Sequence, residues 1–187
     1  MFEKGGAVPP SATPGGFLQF VIEDRFPLRI IGLDTLVQGQ GGGELCAERL
    51  QWLDQALSGA PARPTLILMH HPPFLTGIAH MDAIGLRGSG DFERIAARHP
   101  QIAGILCGHL HRTIQTLVGG RQTLTAPSPA HQVTLDLRPD GPSSFSMEPP
   151  GYMLHRWDAG RLVSHTAVLG EYAGPYPFFD EQGNLID

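Results

Sequence analysis

Two apolar runs in this chain each stop at a histidine. Pro64 to His70, PTLILMH, is continuously apolar and ends at His-Pro-Pro; Ile102 to Gly108, IAGILCG, ends at His109. Uninterrupted apolar runs of this length fit strands buried on both faces, the situation of a parallel sheet covered by helices. Between them lie a glycine-bearing stretch, Pro72 to Gly90, expected to be a long loop, and a short helical pattern, Asp91 to Arg98, with Asp91 as its N-cap. Strand, helix, strand at this spacing is a crossover unit, so the strands should be parallel with their C-terminal ends on one edge. His70 and His109 are therefore expected close together.

The remaining segments extend this α/β pattern. Residues 1–16 are rich in Pro and Gly without periodicity and are expected to be a flexible tail, leaving 17–187 as one domain. Phe17 to Glu23 and Leu28 to Asp34 form apolar runs around a charged turn, which suits a hairpin. After the glycine-rich VQGQGGG, the face of Leu45, Ala47, Leu50, Trp52, Leu53, Ala56 and Leu57 predicts a helix ended by Gly59. Further on, TIQTLVGGRQTLTAP predicts a hairpin turning at Gly119-Gly120 and His131 to Leu137 a strand. PDGPSSFSMEPP should be a polar loop, Tyr152 to Leu169 a hairpin turning at Asp158-Ala159-Gly160, and the Pro-rich aromatic end a surface segment.

Charge and composition narrow the function classes. The net charge is −5 and the pI about 5.9, with no stripe of Lys and Arg, which argues against a nucleic-acid polymer as partner. No run of 18 apolar residues and no signal-like N-terminus is present, so no membrane partner and a cytoplasmic location are expected. Two cysteines, Cys46 and Cys107, provide neither a disulfide framework nor a CxxC knuckle. Nine histidines in an acidic chain ask instead where they cluster.

They cluster at the two strand ends, as His70-His71-Pro72-Pro73 and Gly108-His109-Leu110-His111. Residues i and i+2 can face one point only if the backbone bends, and Gly108 permits a tight approach. Several neutral imidazoles converging at a sheet edge make a metal site. Cys107 beside His109 could form a thiol–imidazole pair, but neighbours along a strand point to opposite faces, so it is read as core. Ser143, Ser144 and Ser146 lie in a polar loop without a nucleophile elbow. His80, His99, His155 and His165 are scattered and assigned to surface or packing, as Trp52 and Trp157 are to packing.

LILMHHPPF, the Met81-Asp82 pair, ILCGHLHR and PSPAHQVTLDL together resemble the C-terminal half of calcineurin-like metallophosphoesterases, nearest the glycerophosphodiesterase and class III cyclic-nucleotide phosphodiesterase subgroup. The resemblance implies half of an αββα sandwich, a mixed sheet with flanking helices. It implies two divalent ions (Fe, Mn, Zn or Co), His70 and His109 holding one and His111 the other. His71 would support the site without ligating, and His131 would contact the substrate phosphate as a catalytic residue. The implied substrate is a small phosphodiester; a homo-oligomer is left open.

One departure is large. Family members carry Asp-x-His, Gly-Asp-x-x-Asp and Gly-Asn-His-Asp upstream, and none of these occurs here. Asp34-Thr35 matches a later element that is no metal ligand. Three motifs on strand–helix units would need about 90 residues. The expectation is an N-terminally incomplete chain lacking the other metal ligands, with weak metal binding and impaired activity. The alternative is a non-catalytic fragment or pseudoenzyme acting as a binding module.

Overall fold

The computed structural model describes residues 16–186. Strand β1 (Phe20–Ile22) pairs antiparallel with β2 (Arg29–Gly32), as the hairpin pattern predicts. Helix α1 (Ala47–Ser58), β4 (Thr65–Met69), α3 (Ser89–Arg98) and β6 (Ile102–Cys107) follow, with β3 (Gly43–Glu44), α2 (Ala79–Asp82) and β5 (Leu86–Arg87) between them. Strands β7 (Ile114–Val118) and β8 (Arg121–Thr125) form the Gly-Gly hairpin. One six-stranded mixed sheet results, ordered β1-β2-β4-β6-β8-β7, its inner pairs parallel and its two edge pairs antiparallel.

The main core lies between this sheet and the two longer helices. Ile31, Ile67, Met69, Ile105 and Cys107 face Leu50, Leu53 and Leu57 of α1 and Phe92, Ile95 and Ala96 of α3. Spacings of three and four residues put each helical set on one stripe, which is why these segments are helices seated on the sheet. Gly119 shows how closely the β7–β8 turn presses on α3. Its φ is +56°, and an added Cβ would lie 2.6 Å from the Ala97 nitrogen. The opposite face of the sheet presents Ile30, Leu66, Leu68 and Leu106. Trp157 of β11 (Gly151–Asp158) and Leu162 of β12 (Arg161–Val168) lie against it, leaving an apolar groove of about 370 Å³.

Several local expectations are corrected. Helix α3 begins at Ser89 with Gly88 at its cap, so Asp91 sits in the first turn, paired with Arg94. The loop from Pro72 to Gly90 contains α2 and β5, and the glycine-rich stretch ends in β3, which pairs with β5. The strand expected over 131–137 shrinks to β9 (Gln132–Val133), paired with β10 (Phe145–Ser146) inside the supposed polar loop. Beyond Thr134 the chain turns: the Asp136 amide donates to Thr134, Asp136 accepts from the Arg138 amide and guanidinium, and Leu135 and Leu137 are exposed. Alternation of apolar and polar residues imitates a strand there, but among the described residues of this stretch only Gln132 and Val133 pair with another strand.

The predicted tail, residues 1–16, lies outside the described residues except for Gly16. Among the described residues, no helix is long and apolar enough to cross a membrane. Leu53, on the core-facing stripe of α1, is fully buried. Urea denaturation should therefore show Leu53→Ala losing about 2–5 kcal/mol of stability. Leu36→Ala, at an exposed position, should stay within about 0.5 kcal/mol.

Candidate metal centre

The parallel pairing of β4 with β6 puts Met69 opposite Cys107, and one step on the Gly108 amide donates to the His70 carbonyl at 3.0 Å. His70 and His109 therefore emerge side by side, their rings 5.1 Å apart. His70 Nε2 lies 3.3 Å from His109 Nδ1. Two imidazole nitrogens at about 2.0–2.1 Å from one tetrahedral ion would be about 3.4 Å apart. The pair thus already has the spacing of one edge of a metal coordination shell.

The Gly-His-Leu-His segment bends as the i, i+2 spacing requires. His109 (φ +68°) and His111 (φ +53°) both occupy the left-handed region, which is uncommon outside glycine and concentrates at functional sites. Between them Leu110 plunges into a second small core with Ile78, Met81 and Val133, and this anchor offsets the strain. His111 donates from Nδ1 to the His131 carbonyl at 3.1 Å. That bond assigns the tautomer and leaves the Nε2 lone pair available to a ligand. The His131 ring lies 4.8 Å from the His111 ring and 4.7 Å from the Phe145 ring.

His71 is differently placed. Among the described residues, one group of three or more His, Cys, Asp or Glu side chains has ligand atoms that all lie within 4.8 Å of one another: His70, His71 and His109. Distance alone would make His71 a ligand, but both its nitrogens are occupied. A carbonyl can only accept, so Nε2–H donates to Gly41 at 3.1 Å, and Nδ1 accepts from the Thr35 hydroxyl at 2.9 Å. No lone pair remains. Asp34 is likewise occupied, accepting from the Leu18 and Leu36 amides. Asp82 ties down its loop through the Thr76 amide and hydroxyl and the Gly77 amide.

Crowding keeps the imidazoles neutral. Burial, reinforced by the neighbouring His71 and His70, pushes His109 down to about 4. The nearby Ile84 backbone opposes this, yet His109 Nε2 is buried without a hydrogen bond of normal geometry. Burial first, then the charges of His71 and His111, lowers His70. Burial also lowers His71, partly countered by Gly41. Neutral imidazole is the form that ligates metals. Cys107 is buried and its thiol pushed far up, consistent with a packing role.

Comparison with known proteins adds to this geometry. No family model matches the chain. It is 45% identical over 172 residues to a probable glycerophosphodiester phosphodiesterase of Arcobacter nitrofigilis, covering 91% of this chain and 63% of the relative. It is 39% identical over 171 residues to a probable cyclic nucleotide phosphodiesterase of Rhodopseudomonas palustris, covering 90% and 61%. The chain is thus similar to phosphodiesterases named for glycerophosphodiesters and for cyclic nucleotides, in line with the resemblance that its histidine motifs carry. It spans about three-fifths of the length of the curated relatives it matches. A dimetal phosphatase from Danio rerio shares the fold, with a TM-score of 0.50 at 15% identity over 81% of this chain and 60% of that one. The mixed α/β architecture, a mixed sheet with flanking helices, is thus shared with that structure.

The contacts of Thr35, Gly41 and Phe145 were not visible from the sequence. The glycine run was the available signal, since Gly43 approaches His71 so closely that a Cβ would sit 2.4 Å from its Nδ1.

The lowered histidines set a pH dependence. Below the unfolded value of about 6.5 the unfolded chain takes up protons that folded His109 refuses until about pH 4, with His70 and His71 lowered in the same direction, so stability is full above 6.5 and falls as pH drops through this window. Denaturation at pH 7.5 and 5.0 should show a loss on acidification on the order of 1–2 kcal/mol, discounted for solvent screening of the partly exposed rings. In His109→Ala this loss should shrink.

Proposed function

We propose that this chain supplies the histidine side of a dinuclear metal centre that hydrolyses a small phosphodiester. The observation that carries the reading is the 3.3 Å approach of His70 Nε2 to His109 Nδ1 at adjacent strand ends. His70 and His109 would hold one ion, and His111, through Nε2, its neighbour. Divalent ions held there would neutralise the phosphate and supply a nucleophile at neutral pH.

The chain's own residues do the rest. His131, whose ring neighbours those of His111 and Phe145, would hydrogen-bond a phosphate oxygen and give a proton to the leaving alkoxide. The segment from Phe74 to Gly90 shapes what is bound, because part of it lines a cleft of about 400 Å³ together with Gln40, Gly41 and Gly42. Gly41 also accepts from His71, which ties this cleft to the imidazole cluster. Phosphodiesterase names among the relatives support a diester, and a glycerol ester and a cyclic nucleotide are the two classes they point to.

Three imidazoles shared by two ions give each fewer protein ligands than the three usual at catalytic zinc. Metal binding and turnover by this chain alone are therefore expected to be weak. The alternative, a non-catalytic binding module, is favoured by the engagement of the Asp34 and Asp82 carboxylates with backbone amides.

Metal titration and hydrolysis of a chromogenic phosphodiester with added manganese, cobalt or zinc separate the two readings. Under the proposal, His109→Ala loses both binding and turnover. His131→Ala keeps metal affinity and lowers kcat about 10²–10⁴-fold. Metal binding with no turnover under any metal would favour the binding module.

A further inference from the structure

We propose that His71 is a positioning residue, joined to Thr35 and Gly41 in a hydrogen-bonded chain that holds the His70 and His109 imidazoles in register. The inference rests on the reading that those two rings share an ion. His71 follows His70 in the chain, so whatever fixes the His71 ring also fixes the backbone from which His70 projects. Its ring is nearly perpendicular to His70, with centroids 4.7 Å apart, and lies 4.5 Å from His109. It thus touches both rings while presenting no lone pair to an ion.

The other side of His71 is tightly enclosed. Thr35 is 2% exposed and follows β2; its hydroxyl donates to Nδ1 and lies within 3.5 Å of the His71 amide. The Thr35 carbonyl accepts from the Glu44 amide, and Gly43 donates to Gly85, so the glycine-rich segment is closed against His71 by main-chain bonds. With Gly43 leaving no room for a Cβ, the ring cannot rotate or swing away without moving two loops. A fixed ring of this kind transmits position to its neighbours.

Zinc titration calorimetry of the full chain, well below its melting temperature, tests this with Thr35→Val, Thr35→Ser, His71→Gln, His71→Leu and His70→Ala. Thr35→Val keeps the shape and removes the hydroxyl; zinc affinity should fall about 10–100-fold. Thr35→Ser should restore it. His71→Gln, whose amide can still donate to Gly41, should bind better than His71→Leu. Imidazole nitrogen NMR of the metal-free chain should find His71 in one tautomer, Nε2–H, and Thr35→Val should keep it because the Gly41 carbonyl still accepts that proton; an Nδ1–H tautomer in the wild type would overturn the hydrogen-bonded chain. Wild-type affinity in Thr35→Val and His71→Leu, alongside its loss in His70→Ala, would overturn the positioning role alone. Wild-type affinity in His70→Ala would overturn the shared-ion reading beneath it. Should Thr35→Val fail to fold, the comparison of His71→Gln with His71→Leu decides.

Discussion

The whole arrangement depends on one backbone feature, the parallel pairing of β4 with β6. Ile67 opposite Ile105 and Met69 opposite Cys107 bury one side of this pair under both longer helices. That burial makes the register costly to shift, since a one-residue slip would turn the apolar set away from the core. Strands locked in this way must end together, and the amide of Gly108 joining the carbonyl of His70 carries the register into the loops. The approach of the two imidazoles is a consequence of sheet geometry before it is a property of the side chains.

Packing then selects the protonation state. Three imidazoles at centroid distances of 4.5 to 5.1 Å cannot all carry protons cheaply, and their burial already favours the neutral form. The two left-handed histidines add backbone strain, offset by Leu110 in its own small core. Neutral, strained, convergent rings suit a site that waits for a cation. The same neutrality makes the cluster sensitive to acid, so stability and ligand readiness respond together to pH.

Much of this was legible in the sequence. Continuous apolar runs identified β4 and β6, Gly119-Gly120 identified the β7–β8 turn, and helical spacing identified α1. The meeting of His70 with His109 followed from topology. What escaped detection depends on contacts across many residues. Val133 to Leu137 alternates like a strand, yet Asp136 and Arg138 turn it away after two paired residues. β10 is two residues in a polar stretch, with no pattern to announce it. Nothing local distinguishes the adjacent His70 and His71; Thr35, 36 residues from His71, and Gly41, 30 residues away, make the difference.

The central claim is that His70 Nε2 and His109 Nδ1 share one ion while His71 stays outside the shell. Anomalous diffraction from crystals of the chain soaked in zinc tests it at the atoms concerned. The account predicts a peak at about 2.0–2.1 Å from both nitrogens, with His71 still bonded to Thr35 and Gly41. A peak on His71, or zinc bound elsewhere with none between His70 and His109, would contradict it.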